Sequence, residues 1–218
     1  MKKILIFILV LLILVGCQTA QTKESTVNKQ PQVTIDGNKT LIVYFTRADN
    51  IQLTTDADTS TSASLVIKDN EIVGNTGYVA RVIQEEIGGT LIPITVSEKY
   101  TSDYDELVTK AKQDGQDQVR PNVDTVIVNL DDYDTVILGY PNWWYDMPMA
   151  VYTFLENYDL SDKTIIPFVT HGGSRFSNTI ENLRSIIPQA TIVEGLAVYQ
   201  HDVIEKEEDI RTWARGLK

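Results

Sequence analysis

The sequence has little of the chemistry that metal sites and histidine-dependent hydrolases need. Its 218 residues include one cysteine, Cys17, and two histidines, His171 and His201. A single thiol cannot form an internal disulfide, and the two histidines do not have the spacing of a zinc site. The Gly-x-Ser-x-Gly elbow of many hydrolases is also missing. These absences argue against a metal centre and against a hydrolase.

Positive charge is scarce as well. The chain has 19 Lys and Arg against 30 Asp and Glu, which gives a formal net charge of −11. An acidic chain without a basic cluster is a poor partner for nucleic acid and for anionic lipid. The phosphate-binding loop of nucleoside triphosphatases and the Gly-x-Gly-x-x-Gly fingerprint of dinucleotide-binding proteins are both missing. We therefore expect no nucleic acid and no metal among the partners.

The N-terminus has the pattern of an export signal. Two lysines precede an apolar run over residues 4–15, which is typical of a signal peptide and too short to span a bilayer comfortably. The ending Leu14-Val15-Gly16-Cys17 resembles a bacterial lipobox, which implies cleavage before Cys17 and acylation of that residue. The alternative is a plain secretory signal with an incidental cysteine. The lipobox predicts a protein anchored by acyl chains at the extracytoplasmic face of the cell membrane.

The rest of the chain divides into a tether and one domain. Residues 17–39 are polar and without hydrophobic periodicity, which predicts a flexible tether. Residues 40–218 have the size of one α/β domain. Apolar runs predict five strands, at residues 41–45, 91–94, 136–138, 165–169 and 191–193, and residues 126–128 have weak strand character. Helical patterns lie between and after these runs, so the alternation predicts a parallel sheet with helices on both faces.

A long polar segment interrupts the first connection between strand and helix. It runs from Ile51 to Val73, and its second half has two short apolar pieces around Lys68-Asp69-Asn70-Glu71. This pattern predicts a small hairpin. An insertion of this length in a compact domain is usually functional or mobile.

The third strand is followed by the most distinctive stretch of the chain. Residues 139–148 read Gly-Tyr-Pro-Asn-Trp-Trp-Tyr-Asp-Met-Pro, and we call them the aromatic loop. In an open α/β sheet such a loop lies at the ligand crevice, so the aromatic side chains could contact a flat, conjugated ligand. The alternative is that the tryptophans close the end of the core, because Trp is usually largely buried.

Two further loops are expected at the same edge of the sheet. Thr46-Arg47 follows the first strand and Gly74-Asn75-Thr76 opens the next helix, and together we call them the first loop. Its hydroxyl, amide and backbone N–H groups suit an anion, although Asn75 and Thr76 could be helix caps alone. After the fourth strand, residues 170–174 offer main-chain N–H groups to a ligand, and we call them the third loop.

The aromatic loop and the third loop together resemble the flavodoxin-like FMN-binding family, over residues 41–218. The resemblance implies a three-layer, doubly wound, five-stranded parallel sheet of order 2-1-3-4-5, here with an insertion after strand 1, and it implies FMN as the cofactor. It implies that the FMN phosphate is contacted by Thr46, Arg47, Asn75 and Thr76. The flavin ring would be contacted by Pro141, Asn142, Trp143 and Trp144. The polar edge of the ring would be contacted by Thr170, His171, Gly172, Gly173 and Ser174.

One departure from the family pattern bears on function. Flavodoxins have an uninterrupted phosphate loop, whereas here the insertion splits it between Arg47 and Gly74. If the insertion folds back as a hairpin, the two halves can meet. We expect an electron-transfer protein or a reductase, with a redox partner protein or a small acceptor such as a quinone, and whether it is carrier or enzyme stays open. The alternative is a non-redox ligand-binding or interaction lipoprotein that kept the fold and lost FMN.

Overall fold

The computed structural model of the protein describes residues 33–52, 64–193 and 195–218. The predicted signal peptide, the predicted acylation site Cys17 and most of the predicted tether lie outside these residues, as do residues 53–63 of the insertion. Within the described ranges, every helix is too short or too polar to cross a bilayer.

A parallel sheet forms the centre of the domain. Its strands, in their order across the sheet, are β4 (Thr90–Ile94), β1 (Thr40–Phe45), β5 (Thr135–Pro141), β6 (Thr164–His171) and β7 (Thr191–Ile192). Strand β8 (Leu196–Tyr199) also pairs with β6 in parallel. When the strands are counted in chain order without the inserted hairpin, the order is 2-1-3-4-5, as predicted.

The fifth position of the sheet is divided between β7 and β8, whereas the sequence predicted one strand at residues 191–193. The division lies opposite Pro167 of β6, which has no N–H to donate. Gly195 approaches the Pro167 carbonyl so closely that an added Cβ would lie 1.6 Å from that oxygen. A short break after β7 therefore accommodates the proline, and pairing resumes in β8.

Among the residues that the structure describes, the α-helices are α1 (Arg47–Asn50), α2 (Asn75–Ile87), α3 (Tyr104–Gln116), α4 (Met149–Asn157), α5 (Thr179–Ile186) and α6 (Glu207–Arg215). Alternate residues of β1 belong to different cores because side chains alternate across a strand. Leu41, Val43 and Phe45 pack with residues of α3, α4 and α5, whereas Ile42 and Tyr44 pack with residues of α2 and α6. Both faces of the sheet are thus covered, which explains its continuous apolar strands.

The insertion contains the predicted hairpin. Strands β2 (Leu65–Lys68) and β3 (Glu71–Gly74) pair in antiparallel fashion. Asp69 and Asn70 both have positive φ, 52° and 66°, as a two-residue type I′ turn requires. The hairpin returns the chain to the start of α2 directly after its last strand residue, Gly74.

The segment before β5 forms no strand of the sheet, so the weak strand signal at residues 126–128 is not borne out. It runs along the outer edge of β4, where Asp124 N donates to Thr95 O at 2.8 Å and Thr125 Oγ1 donates to Pro93 O at 2.9 Å. Thr125 and Ile127 are buried, whereas Val126 and Val128 are 71% and 72% exposed. The β-branched run that suggested a strand thus belongs to a segment that covers a sheet edge and buries only one side.

The folded part of the chain begins before residue 40. Ile35 is buried in the core beside α2 and α6, and its N–H donates to Leu217 O at 2.8 Å. Residues 37–39 form a single 3₁₀ turn that leads into β1.

Candidate ligand-binding site at the carboxyl edge of the sheet

Three loops meet at the carboxyl ends of β1, β5 and β6, where the sequence predicted them. Thr76 Oγ1 in the first loop lies 2.7 Å from Thr170 Oγ1 in the third loop. Asn142 N in the aromatic loop donates to Thr170 O at 2.8 Å, and Asn142 Nδ2 donates to Arg175 O at 2.8 Å. Direct hydrogen bonds therefore join the third loop to each of the other two.

The hairpin brings the two halves of the first loop together. An added Cβ on Gly74 would lie only 1.9 Å from Thr46 Oγ1, so glycine is the residue that permits this approach. Asn75 N, at the start of α2, donates to Ser64 O at 3.0 Å. The segment that interrupts the loop in sequence thus leaves Thr46 beside Gly74 in space.

The first loop has the features of an anion site. Gly74 is the N-cap residue of α2 and makes no side-chain cap bond, and the first N–H groups of any helix lack intrahelical partners. Thr46 Oγ1 is buried and has no hydrogen-bond partner among the described residues. A phosphate at this helix end would meet N–H donors, the positive end of the helix dipole and a hydroxyl.

Asn75 and Thr76 do not act as helix caps, since they are the first two residues within α2. Both are 1% exposed. Thr76 bonds to Thr170, as described, and Asn75 Nδ2 donates to Gln200 O at 3.2 Å. Their side chains tie the helix start to its neighbours.

Arg47 contacts a different element from the other residues of the first loop. It is 1% exposed, its Nη2 donates to Ser102 O at 2.9 Å, and its Cζ lies 5.6 Å from the centre of the Tyr104 ring. These contacts are at the start of α3. The predicted contact of Arg47 with a phosphate stays a prediction.

The aromatic loop is a tight turn with an unusual backbone. Pro141 ends β5, and Trp143 and Asp146 exchange backbone hydrogen bonds of 2.9 and 3.1 Å. Between them, Trp144 and Tyr145 have φ values of 54° and 67°. Both values belong to the left-handed region that bulky residues rarely adopt. The turn therefore holds two large side chains in a conformation that favours Gly or Asn.

The two tryptophans of the loop have different surroundings. Trp143 packs edge-to-face on Phe45 and Tyr100, with ring centres 5.3 and 5.8 Å away. Trp144 is 48% exposed, and its Nε1 donates to Val108 O of α3 at 3.0 Å. The alternative that the tryptophans close the end of the core therefore holds in part for Trp143, but it does not hold for Trp144.

Asp146 holds the aromatic loop in place, a role that the sequence analysis missed. Its Oδ1 accepts hydrogen bonds of 2.8 Å from Met147 N, Tyr152 Oη and Asn182 Nδ2. Burial and the bond to Asp146 raise the pKa of Tyr152. The sequence does show an acidic residue just before a helix, which is a typical position for such a role. It does not show that Tyr152 of α4 and Asn182 of α5 donate to this residue.

In the third loop, His171 acts as a hydrogen-bond acceptor for the backbone. It is the last residue of β6, it is buried, and its Nδ1 accepts from Gly173 N at 2.9 Å. Burial lowers its pKa, and the positive charge of Arg175 lowers it further. The acceptor Nδ1 fixes the backbone of Gly173, whose φ of 128° suits glycine.

Gln200 is a second neighbour that no sequence signal indicated. Its carbonyl accepts the bond from Asn75, and its buried Oε1 has no hydrogen-bond partner among the described residues. An added Cβ on Gly172 would lie 3.1 Å from that Oε1. The residue after β8 thus lines the rear of the first and third loops.

Two cavities lie where the aromatic loop faces α3. One has a volume of about 260 Å³ and the other of about 290 Å³, and both are lined by Ala111, Trp143 and Trp144. Over the described ranges, no three His, Cys, Asp or Glu side chains are grouped so that they could hold a metal ion.

Comparison with known proteins gives a family and several similar structures. The family model for flavodoxin matches residues 66–216. A candidate flavoprotein from Bacteroides eggerthii DSM 20697 is 29% identical, with a TM-score of 0.60 over 80% of this chain and 94% of that one. One from Bacteroides uniformis ATCC 8492 is 27% identical, with a TM-score of 0.61 over 81% and 97%.

A more distant structure contains a ligand. A flavoprotein from Lactobacillus acidophilus NCFM, solved in complex with FMN, is 19% identical, with a TM-score of 0.54 over 78% of this chain and 99% of that one. At this identity the likeness concerns the fold. Among curated proteins, none matches the chain significantly.

Proposed function

The chain belongs to the flavodoxin family, and from this we propose that it binds FMN at the carboxyl edge of its sheet and serves in electron transfer or as a reductase. The observation that carries the proposal is the contact between Thr46 and Gly74 across the inserted hairpin. It leaves a buried threonine hydroxyl beside the N-terminus of a 13-residue helix, which is suitable chemistry for a phosphate.

We assign roles within this proposal as the family resemblance suggests. Thr46, Asn75 and Thr76 hold the phosphate, with Arg47 nearby. The aromatic loop, from Pro141 to Trp144, lies along the flavin ring, and the third loop, from Thr170 to Ser174, offers main-chain N–H groups to its polar edge. Bound FMN supplies the electron transfer, and the protein supplies position and electrostatics.

The charge of the protein favours a low reduction potential. Reduction of the ring to an anionic form adds negative charge within a chain whose formal net charge is already −11. The field of that charge disfavours the reduced form, and aromatic contact favours the neutral oxidised ring. Burial lowers the pKa of His171, which disfavours a positive charge there that would offset this field.

The alternative function is that of a protein that kept the fold and lost FMN. It was suggested by one feature of the sequence, the separation of the two halves of the phosphate loop. Since Thr46 and Gly74 are in contact, the insertion gives no reason to expect loss of the phosphate site.

For location, we propose a lipoprotein anchored through Cys17 at the outer face of the cell membrane. The support is the sequence Leu14-Val15-Gly16-Cys17 with the basic and apolar residues before it. Metabolic labelling with a fatty-acid analogue tests this, because a Cys17→Ser variant should lose both the label and the membrane association. Retention of the label by that variant would remove the basis of the proposal.

The experiment for FMN is visible absorbance of the purified protein, followed by titration of the stripped protein with FMN. We expect a yellow protein that releases FMN on denaturation. The Thr46→Val and Thr76→Val variants should each weaken FMN binding about tenfold or more, since a charge-assisted hydrogen bond contributes roughly 1.5–3 kcal/mol. Thr153→Val, a buried threonine of α4, is the matched control.

A colourless protein that also refuses FMN after refolding contradicts the proposal. If FMN is bound, steady-state assays with NADH or NADPH and a quinone separate an enzyme from a carrier. An enzyme turns over with a small acceptor alone, whereas a carrier needs a protein partner.

A further inference from the structure

A tyrosine outside the three loops packs against the start of the third loop. His171, the last residue of β6, is the register partner of Tyr199, the last residue of β8. The centres of their rings are 6.0 Å apart, and the ring planes are inclined at 55°. His171 is 5% exposed, whereas Tyr199 is 39% exposed. The phenol ring therefore shields part of the imidazole from solvent.

The hydrogen bond that His171 accepts depends on its protonation state. Because Gly173 N donates to Nδ1 at 2.9 Å, this nitrogen carries no proton, and a neutral imidazole then has its proton on Nε2. An imidazolium has an N–H on both nitrogens and accepts no hydrogen bond. Protonation of His171 would therefore break the bond to Gly173. The backbone of the third loop is thus coupled to a proton on one side chain.

The groups around His171 disfavour its protonation. Burial lowers its pKa, and the positive charge of Arg175 lowers it further. The other titratable neighbours are Tyr199 and, beyond it, the exposed His201, whose ring centre lies 5.3 Å from that of Tyr199. Among the described residues, no carboxylate raises the pKa of His171. A negative charge that favours the imidazolium would therefore have to come from a ligand.

We propose that His171 and Tyr199 form a proton-coupled switch in the third loop. His171 takes up one proton from solvent when the ligand at this loop gains negative charge, and the Gly173 N–H is then released from Nδ1. Tyr199 is the positioning residue, because its ring limits the hydration of the imidazole and so favours the uncharged form until that charge develops. The switch depends on the proposed function, since the charge that drives it is that of reduced FMN.

The direction of the effect follows from charge. Two electrons from an external reductant and one proton convert the flavin ring to its anionic reduced form, and His171 binds a second proton. A negative ring beside the imidazole favours the imidazolium, so the pKa of His171 is higher with the reduced ligand than with the oxidised one. At a pH between these two pKa values, acid favours reduction, and each pH unit changes the equilibrium constant of reduction by an additional factor of about ten.

The first test needs no FMN. The chain has two histidines, so a His201→Asn background leaves the imidazole signal of His171 alone to be titrated by NMR in the stripped full-length protein. We expect a pKa below about 6.5, and the amide resonance of Gly173 should move over the same pH range, because the two groups share a hydrogen bond. A Gly173 resonance that does not follow His171 overturns the coupling.

Two substitutions of Tyr199 make a matched pair in the same titration. Tyr199→Ala hydrates the imidazole and should raise the pKa of His171, whereas Tyr199→Phe keeps the ring and should leave that pKa unchanged. Tyr145→Ala removes another exposed tyrosine, from the aromatic loop, and should also leave it unchanged. The same pKa in Tyr199→Ala as in the native protein, or equal shifts in Tyr199→Ala and Tyr145→Ala, contradicts the role of Tyr199.

The second test measures the reduction potential of the FMN-loaded protein between pH 5 and pH 8, with dithionite as reductant and a reference dye. The native protein should show the additional pH dependence over part of this range, His171→Asn should lack it, and Tyr199→Ala should show it at higher pH. The same pH dependence in the native protein and in His171→Asn overturns this inference and leaves the proposed function standing. A protein that never binds FMN refutes both.

Discussion

The first loop and the aromatic loop achieve their geometry by opposite means. In the first loop, glycine removes a side chain so that Thr46 and the start of α2 can touch, and its polar groups are buried. In the aromatic loop, large side chains occupy a turn that suits glycine, and Trp144 and Tyr145 are largely exposed. An anion site needs enclosed, pre-oriented donors, whereas an aromatic contact site needs ring surface that a ligand can reach.

The largest expected effect comes from giving Gly74 a side chain. Gly74→Val should move Thr46 away from the start of α2, lowering the free energy of unfolding by about 1–3 kcal/mol and abolishing FMN binding. Denaturant titration and FMN titration measure the two effects. Gly115→Ala is the control, because its new Cβ enters open space and should stabilise α3 by about 0.5–1 kcal/mol. If Gly74→Val binds FMN normally, the contact with Thr46 has no part in the site.

Removing the support of the aromatic loop should have the next largest effect. Asp146→Ala leaves Met147 N, Tyr152 Oη and Asn182 Nδ2 without their shared acceptor. It should lower the free energy of unfolding by about 2 kcal/mol and change the tryptophan emission spectrum as Trp143 and Trp144 loosen. Asp132→Ala, on an exposed turn before β5, should change neither quantity. A normal emission spectrum in Asp146→Ala would show that the turn is rigid without the carboxylate.

Relieving the backbone of the aromatic loop should raise stability slightly. Tyr145→Gly removes the cost of a bulky residue at a φ of 67°, roughly 1–2 kcal/mol, although part of the gain is offset by the greater freedom of the unfolded chain. We expect a net increase of at most about 1 kcal/mol in a denaturant titration. Tyr145→Ala removes the same ring but keeps the unfavourable φ, so it should be the less stable of the two. Equal stabilities would mean that the turn stores no strain there.

The smallest expected effect is on the pH dependence of stability, through His171 in the third loop. The pKa of His171 is lowered in the folded protein, whereas in the unfolded chain it is about 6.5. At a pH between the two pKa values, the unfolded chain binds a proton that the folded chain does not. Stability should therefore fall as the pH decreases through this range. His171→Asn, which keeps an acceptor for Gly173 N, should weaken this dependence, as measured by thermal unfolding between pH 7 and pH 5. His201→Asn, at an exposed position, is the control, and an unchanged dependence in His171→Asn would assign the acid sensitivity to other groups.

Individual strands and turns show how much of the fold could be predicted from the sequence. The apolar runs located β1, β4, β5 and β6, because buried parallel strands leave a continuous apolar signal. The turn at Asp69-Asn70 identified the hairpin from local chemistry alone. The divided fifth position was missed because its cause, Pro167, lies on a neighbouring strand. The prediction at residues 126–128 was wrong because a short β-branched run also suits an extended segment that covers a sheet edge without pairing in the sheet.

The site was predicted at the level of loops but not of atoms. Sequence placed the three loops at one edge of the sheet and identified Thr46 and Gly74 as separated halves of one element. It did not indicate that Arg47 contacts α3, that Asp146 supports the aromatic loop, or that Gln200 lies behind Asn75. The contacts of Arg47 with Ser102, of Asp146 with Asn182 and of Gln200 with Asn75 join residues that are far apart in the chain.

What the sequence determined by itself is local: where the chain is extended or helical, where it turns, and which residue types stand at the ends of the strands. Only the tertiary structure decided that the hairpin brings Thr46 beside Gly74, and that Trp143 packs on Phe45 and Tyr100 while Trp144 is half exposed. The physical reason is that periodicity and turn chemistry depend on neighbours within a few residues. A binding site depends on which distant side chains the packing of helices on the sheet brings within a few ångströms.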